Sequence, residues 1–88
     1  MRVENFKNNQ GRAVPNQFIL HGEKGRYFQS YDSIIAFIPY DYNQKTQLGR
    51  YWDYSRTTGK YRNQFLDETK AETERKIKSG EYELNYEL

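Results

Sequence analysis

The residues between Arg50 and Leu66 combine aromatic rings with positive charges in a way that suits binding to nucleic acid. This basic-aromatic segment contains the only tryptophan of the chain, and its single acid is Asp53. Flat aromatic side chains stack on bases, while neighbouring cations neutralise phosphates. We therefore expect a nucleic-acid-binding surface here. Its candidate residues are Arg50, Tyr51, Arg56, Thr57, Lys60 and Arg62.

The same segment also has the spacing of an amphipathic helix. Tyr54, Thr58, Tyr61 and Phe65 follow one another at i, i+4, i+7 and i+11, which predicts one buried face. Ser55 is well placed as the N-cap, because its hydroxyl can accept a free backbone N–H. In this second interpretation the aromatic residues, Trp52 included, belong to a core, and the cations are simply solvated.

The two interpretations are compatible, because a helix has more than one face. Arg56, Lys60 and Asn63 share a face that is separate from the aromatic one. Tyr27, Gln29 and Tyr31, which share one face of a predicted strand, would extend the same binding surface.

Known enzyme patterns do not fit this chain. It contains no cysteine and a single histidine, His21, so cysteine catalysis and histidine-rich metal sites are excluded. The sequence Thr57–Lys60 has the Gly-Lys of a phosphate loop but neither the earlier glycine nor the following Ser or Thr. The start of a helix at Ser55 remains a weak candidate for holding a phosphate. We expect a protein that is not an enzyme and that needs no metal or cofactor.

Length and composition indicate one small folded domain, residues 1–88. Hydrophobic residues make up 35% of the chain, and 17% of the residues are aromatic, so a few large rings must supply most of the core. The net charge is +2, and it is unevenly distributed. Residues 1–65 have ten Lys or Arg against five acids, whereas residues 66–88 have four against seven. An acidic carboxyl-terminal part therefore follows a basic body.

Short runs of aromatic and β-branched residues separated by turn residues predict an antiparallel meander. We expect a weak strand over 1–6 and three clearer strands. The clearer strands cover 17–21, 26–31 and 33–38, and an edge strand is predicted within 46–52.

The pattern after residue 54 changes to helical. The first helix begins at the Ser55 N-cap inside the basic-aromatic segment and extends past Phe65, and a second follows the capping box of Thr69 and Glu72 and ends near Gly80. Ala71 and Ile77 are its expected apolar positions. Residues 81–88 alternate strictly and predict a last strand at a sheet edge. The fold class is thus α+β: a four- to five-stranded antiparallel meander followed by one or two helices packed on one face.

Eight residues are predicted to be largely buried. They are Phe18, Leu20, Phe28, Ile35, Phe37, Trp52, Tyr61 and Phe65.

Three segments resemble a family of small uncharacterised proteins found in bacteriophages and in bacteria that carry phage-derived DNA. These segments are Asn16–Ile19, Tyr27–Ala36 and Tyr51–Leu66, and the last is the most distinctive. The resemblance covers nearly the whole chain. It implies a phage accessory protein acting in an infected bacterium, where such proteins often take over host functions or inhibit defences. It transfers no catalytic or binding residue.

These observations leave more than one function open. The leading expectation is a phage accessory protein that binds nucleic acid. The alternative is a stoichiometric inhibitor that binds a host protein or a bacterial anti-phage defence factor through the acidic helix or a sheet edge, and a small enzyme or nucleotide binder is a third. No run of residues is apolar enough for a membrane span, and the amino terminus lacks the apolar core of a signal peptide. We therefore expect no membrane partner and a location in the bacterial cytoplasm. The sequence defines no oligomeric state, and a homodimer is compatible with it.

Overall fold

Four consecutive strands form the larger part of the sheet in the computed structural model, which describes all residues 1–88. Each strand pairs antiparallel with the next one along the chain. The strands are β1 (Arg2–Lys7), β2 (Ala13–His21), β3 (Gly25–Ser30) and β4 (Ser33–Pro39). This arrangement is the meander that the short aromatic runs predict.

The remaining elements complete an α+β fold with six strands, one more than the upper limit of the prediction. They are β5 (Gln47–Leu48), α1 (Arg56–Leu66), α2 (Lys70–Ser79) and β6 (Glu83–Leu84). The strand order is β1-β2-β3-β4-β5-β6. The strand predicted within 46–52 is only two residues long and is not an edge, because β6 pairs with it in parallel. The last strand is confirmed, although it is much shorter than the alternating pattern of 81–88.

Both helices begin with the N-caps that the sequence predicts, and α2 also ends as predicted, whereas the end of α1 at Asp67, in the left-handed conformation with φ of 56°, is not predicted. Ser55 accepts a hydrogen bond from the backbone N–H of Thr58, at 3.2 Å. Thr69 and Glu72 form the capping box of α2, and Gly80 ends α2 in the left-handed conformation, with φ of 83°. These local bonds satisfy backbone groups that a helix end otherwise leaves without partners.

The core lies between the helices and one face of the sheet. The inward row of the sheet crosses the strands as Ile19, Phe28, Ala36 and Leu48, which are register partners. The rings of Phe6, Tyr61 and Phe65 pack against this row, and the Phe6 and Phe28 centroids are 5.4 Å apart. Edge-to-face contacts of this kind stabilise a core beyond the area that they bury.

Five of the eight predicted core residues are buried, and three are not. Phe28, Ile35, Phe37, Tyr61 and Phe65 are buried. Phe18, Leu20 and Trp52 are only half-buried. The prediction that these three side chains are largely buried is therefore wrong. Phe18 and Leu20 alternate with Ile19 and therefore face away from the helices. Phe6, which the sequence analysis did not include, takes their place in the core.

The outer face of the sheet is open, because both helices pack on the other side. It presents the half-buried residues Phe18, Leu20 and Tyr27. Phe37 is buried on this face, where its ring lies 4.5 Å from the ring of Tyr27. Val3, the register partner of Leu20 on β1, is exposed. The fold therefore leaves an apolar row without a covering layer.

The second helix contacts the core less than its pattern predicts. Ala71 is exposed, whereas Thr73 is buried and Ile77 packs against the core. The main attachment of α2 is polar. Glu68, just before the helix, accepts hydrogen bonds from Lys76 Nζ at 2.8 Å and from the Tyr82 hydroxyl at 2.7 Å. This cluster joins the helix linker, α2 and the segment that leads into β6.

The Glu68 cluster should make stability depend on acid. Burial acts to raise the pKa of Glu68, but the hydrogen bonds from Lys76, Thr73 and Tyr82 more than offset it and hold the pKa below its usual value. Burial, together with the hydrogen bond to Glu68, raises the pKa of the Tyr82 hydroxyl to about 12. Because the folded pKa of Glu68 is lowered, its stabilisation is present at neutral pH and is lost as the pH falls below about 4.

Glu68→Gln should therefore lower the free energy of unfolding at pH 7 by about 1–3 kcal/mol and weaken its acid dependence. Urea unfolding at neutral and acid pH measures both effects. Glu23→Gln, at an exposed loop position, is the matched control and should change neither. An undiminished loss of stability in acid for the Glu68 variant would show that other carboxylates are responsible.

Candidate nucleic-acid interface

A tight turn after β5 determines which aromatic residues of the basic-aromatic segment reach the surface. The backbone N–H of Gly49 donates to the Ile35 carbonyl at 2.8 Å, and a Cβ atom at position 49 would collide with the Ile34 carbonyl oxygen. Only glycine allows the chain to pass this close to β4. The turn directs Trp52 toward the core and leaves Tyr51 and Tyr54 exposed.

Helix α1 begins directly after this turn, with hydroxyl groups around its first residues. Thr58 is buried, and its Oγ1 lies 2.9 Å from Ser30 Oγ and 3.2 Å from Ser55 Oγ. These bonds join the start of α1 to the end of β3. The first turn of α1 contains no acidic residue. The positive end of the helix is therefore not neutralised locally.

A groove of about 620 Å³ lies between the β3–β4 turn and the start of α1. We call it the tyrosine groove, because three exposed tyrosines, Tyr31, Tyr51 and Tyr54, are on its walls. The rings of Tyr51 and Tyr54 are 5.6 Å apart and nearly perpendicular, at 75°. The remaining lining residues are Ser30, Asp32, Ser33, Ile35, Ser55, Thr57 and Thr58.

A basic depression adjoins the tyrosine groove along α1. It contains the exposed cations Arg56 and Lys60 and shares Ser55 with the groove. Asp53 is its only carboxylate, and Lys70 Nζ lies 2.9 Å from it. The other lining residues are Gly59, Arg62, Asn63 and Lys70 itself. Since its one acid is already paired, the depression has an excess of positive charge.

Arg50 lies in a separate depression that also adjoins the groove. This smaller depression shares Tyr51, Asp32 and Ser33 with the tyrosine groove. The Arg50 guanidinium is 5.7 Å from the ring centre of Tyr86, near the carboxyl terminus. The groove thus adjoins two depressions that contain cations, and aromatic rings line the groove itself.

Arg62 lines the basic depression, but it is the one predicted site residue that is buried. Its side chain is 1% exposed, and its Nη1 donates to the Trp52 carbonyl at 2.7 Å. The guanidinium also lies 5.3 Å from the Trp52 ring centre and 3.6 Å from Asp53 Oδ1. Burial lowers the pKa of Arg62 and Asp53 opposes this, but a guanidinium stays charged in proteins. Arg62 therefore anchors the turn.

The other five predicted site residues lie together. Arg50, Tyr51, Arg56, Thr57 and Lys60 are exposed on the continuous surface formed by the groove and its two flanking depressions. Tyr54 belongs to this surface as well, although the helical spacing predicts it at a buried position. It precedes α1 and is 71% exposed.

Some residues of the surface were absent from the predicted site. Tyr31 was named only as an extension, and neither Lys70 nor Tyr86 was considered. They come from a turn, the second helix and the carboxyl-terminal segment, so no spacing within the basic-aromatic segment indicates them. One feature of the sequence could have indicated Tyr31. It stands beside Asp32-Ser33 in a predicted tight turn, where small polar residues are more usual than a large ring.

His21 lies far along the sheet from these residues, at the end of β2. Its Nε2 is 2.9 Å from Glu4 Oε1, a pair formed across β1 and β2. No group of three or more His, Cys, Asp or Glu side chains in the chain is placed to hold a metal ion. Neither helix is long and apolar enough to cross a membrane.

The fold and the surface define a small α+β protein with a basic, tyrosine-rich groove beside a helix start. The family of unknown function DUF8033 matches residues 1–81, and the chain belongs to that family. The comparison with curated proteins finds no match. The comparison with solved structures likewise finds none.

Proposed function

We propose that this protein is a non-enzymatic phage accessory protein that binds nucleic acid through the tyrosine groove and its flanking cations. The phage setting, in the cytoplasm of an infected bacterium, comes from the resemblance of the three sequence segments. The binding activity is inferred from the surface. The proposed contact residues are Arg50, Tyr51, Arg56, Thr57 and Lys60, joined by Tyr31 and Tyr54.

One observation carries this proposal: three exposed cations on this surface have no acidic partner. Arg50, Arg56 and Lys60 form no salt bridge within the chain, whereas the two cations nearest to Asp53 both pair with it. Unpaired cations beside exposed aromatic rings are the arrangement that contacts a phosphate backbone and its bases.

Replacing Arg56 and Lys60 together with alanine should flatten the salt dependence of nucleic-acid binding by about one unit of slope for each lost phosphate contact. The reason is that each neutralised phosphate releases counterions when the protein binds. Stability should change by less than about 0.5 kcal/mol, because both side chains are at the surface. Fluorescence anisotropy over a series of salt concentrations measures the slope.

The matched control is Lys24→Ala with Lys45→Ala, which removes the same charge from exposed loop positions away from the groove. This control should weaken binding only slightly and leave the slope nearly unchanged. An equal effect of the two double variants would indicate attraction to net charge rather than a defined surface. The absence of salt-dependent binding by the unmodified protein to any nucleic acid would contradict the proposal.

A second candidate function is a protein-binding inhibitor of a host or defence factor. The open sheet face favours it, because Phe18, Leu20 and Tyr27 lie beside exposed Val3 without a covering layer. Exposed apolar rows of this kind often contact other proteins. A host protein that co-purifies with the unmodified protein, and is lost with Val3→Lys but retained with Arg56→Ala and Lys60→Ala, would support this function over the first.

A further inference from the structure

We infer that the tyrosine groove takes unpaired bases, so that the ligand is single-stranded nucleic acid rather than a duplex. This inference rests on the proposed function and names its substrate class. The flanking cations alone would accept the phosphates of either form. The distinction comes from the three tyrosine rings, since bases inside a duplex already stack on each other and offer only their edges.

The tyrosine rings are available for stacking. Tyr31, Tyr51 and Tyr54 are 50%, 44% and 71% exposed, and none belongs to the hydrophobic core. Because Tyr51 and Tyr54 meet nearly at right angles, their contact does not cover both ring faces. Aromatic residues that contribute to a core are normally buried, as Tyr61 on α1 is. These three rings therefore have free faces directed at a shared groove.

Tyr31 adds a second line of evidence, because the backbone holds it in an unfavourable conformation. Its φ is 56°, in the left-handed region that Gly, Asn and Asp adopt more readily than a bulky residue. Its backbone N–H donates to the Asn16 carbonyl at 2.8 Å, which fixes the turn. A half-exposed ring gains little packing in return for this conformation. A role in ligand contact accounts for a tyrosine at this position.

The size and the polar groups of the groove also fit a base. Its volume of about 620 Å³ is within the range of small-molecule sites. Hydroxyls of Ser33 and Thr57 and the carboxylate of Asp32 are on its walls and can bond to base edges. The cations lie in the two depressions that adjoin the groove, with Arg50 in one and Arg56 and Lys60 in the other. A strand that places a base in the groove would therefore have cations close to its backbone.

Three labelled probes test the inference: an oligothymidylate and an oligouridylate of about 12 nucleotides, which is within the site sizes of known single-strand binders, and a DNA hairpin duplex of similar charge. Both single strands should bind more tightly than the duplex at the same salt concentration. Tyr54→Ala should weaken single-strand binding about fivefold to 150-fold without changing the salt slope, since it removes stacking and no phosphate contact. Tyr54→Phe should restore the affinity. A difference between the two single-strand probes reports the combined effect of the sugar and of the thymine methyl group.

Tyr31→Asn provides a sharper variant, because asparagine suits the left-handed conformation. It should keep the melting temperature at or above that of the unmodified protein while weakening single-strand binding at least fivefold. Tyr42→Ala, which removes a fully exposed ring far from the groove, is the matched control and should leave binding unchanged.

The outcomes separate this inference from the proposed function. If the duplex binds as tightly as the single strands, and the tyrosine variants bind as the unmodified protein does, the inference is overturned while nucleic-acid binding stands. If no probe binds, both are overturned. Equal weakening by Tyr42→Ala and Tyr54→Ala would also overturn the inference, because the groove would then have no special role.

Discussion

Replacing Phe28 with alanine should lower the free energy of unfolding by about 3–5 kcal/mol, enough to unfold much of the protein at 37 °C. Phe28 is completely buried at the centre of the sheet, and its ring packs against Phe6 at 5.4 Å and Phe65 at 5.8 Å. Removing it would leave a cavity below α1 that neighbouring strands cannot close. Urea unfolding followed by far-ultraviolet circular dichroism measures the loss.

Phe18→Ala is the matched control for this experiment. Phe18 and Phe28 are the same residue type on adjacent strands, but Phe18 is on the open face of the sheet and is half-buried. Its replacement should cost clearly less, about 1–2 kcal/mol, because less apolar area leaves water on folding. If the two variants lose equal stability, something covers the outer face in solution, and a second copy of the chain would be the first partner to examine by sedimentation.

Arg62→Ala should lower the free energy of unfolding by about 2–4 kcal/mol, a large effect for an arginine. The substitution removes the donor to the Trp52 carbonyl and the partner of Asp53, and it opens space against the indole ring. Because the turn before α1 depends on these contacts, we also expect weaker nucleic-acid binding as a consequence of altered groove geometry. Chemical unfolding of the variant measures the stability term directly.

A comparison of substitutions distinguishes this structural role from a phosphate contact. Arg62→Met keeps most of the side-chain volume and should recover part of the stability, while Arg56→Ala on the exposed face should cost almost none. A guanidinium that contacts phosphate would show the opposite pattern. In that case Arg62→Ala would leave stability unchanged and would reduce the salt slope by about one unit.

Local patterns were sufficient for much of the fold. The four longer strands follow from short aromatic and β-branched runs, and the helix caps at Ser55 and Thr69 follow from hydrogen bonds between residues three positions apart. Such features depend on neighbours along the chain, so a sequence contains the information directly. The chemical character of the basic-aromatic segment is local in the same sense, since it requires only that rings and cations occur close together.

Tertiary structure decided which side of each element faces the core, and hence which residues are free to bind. Alternation along β2 is equally consistent with Phe18 or Ile19 pointing inward, and only the packing of α1 on one face selects Ile19. Likewise, Arg62 and Lys60 look equivalent in the sequence. The turn at Gly49 brings the Trp52 carbonyl next to Arg62 and buries it, while Lys60 stays in water. The tyrosine groove also depends on tertiary structure. Tyr31 is twenty positions before Tyr51 in the sequence, and strand pairing brings it beside Tyr51 and Tyr54.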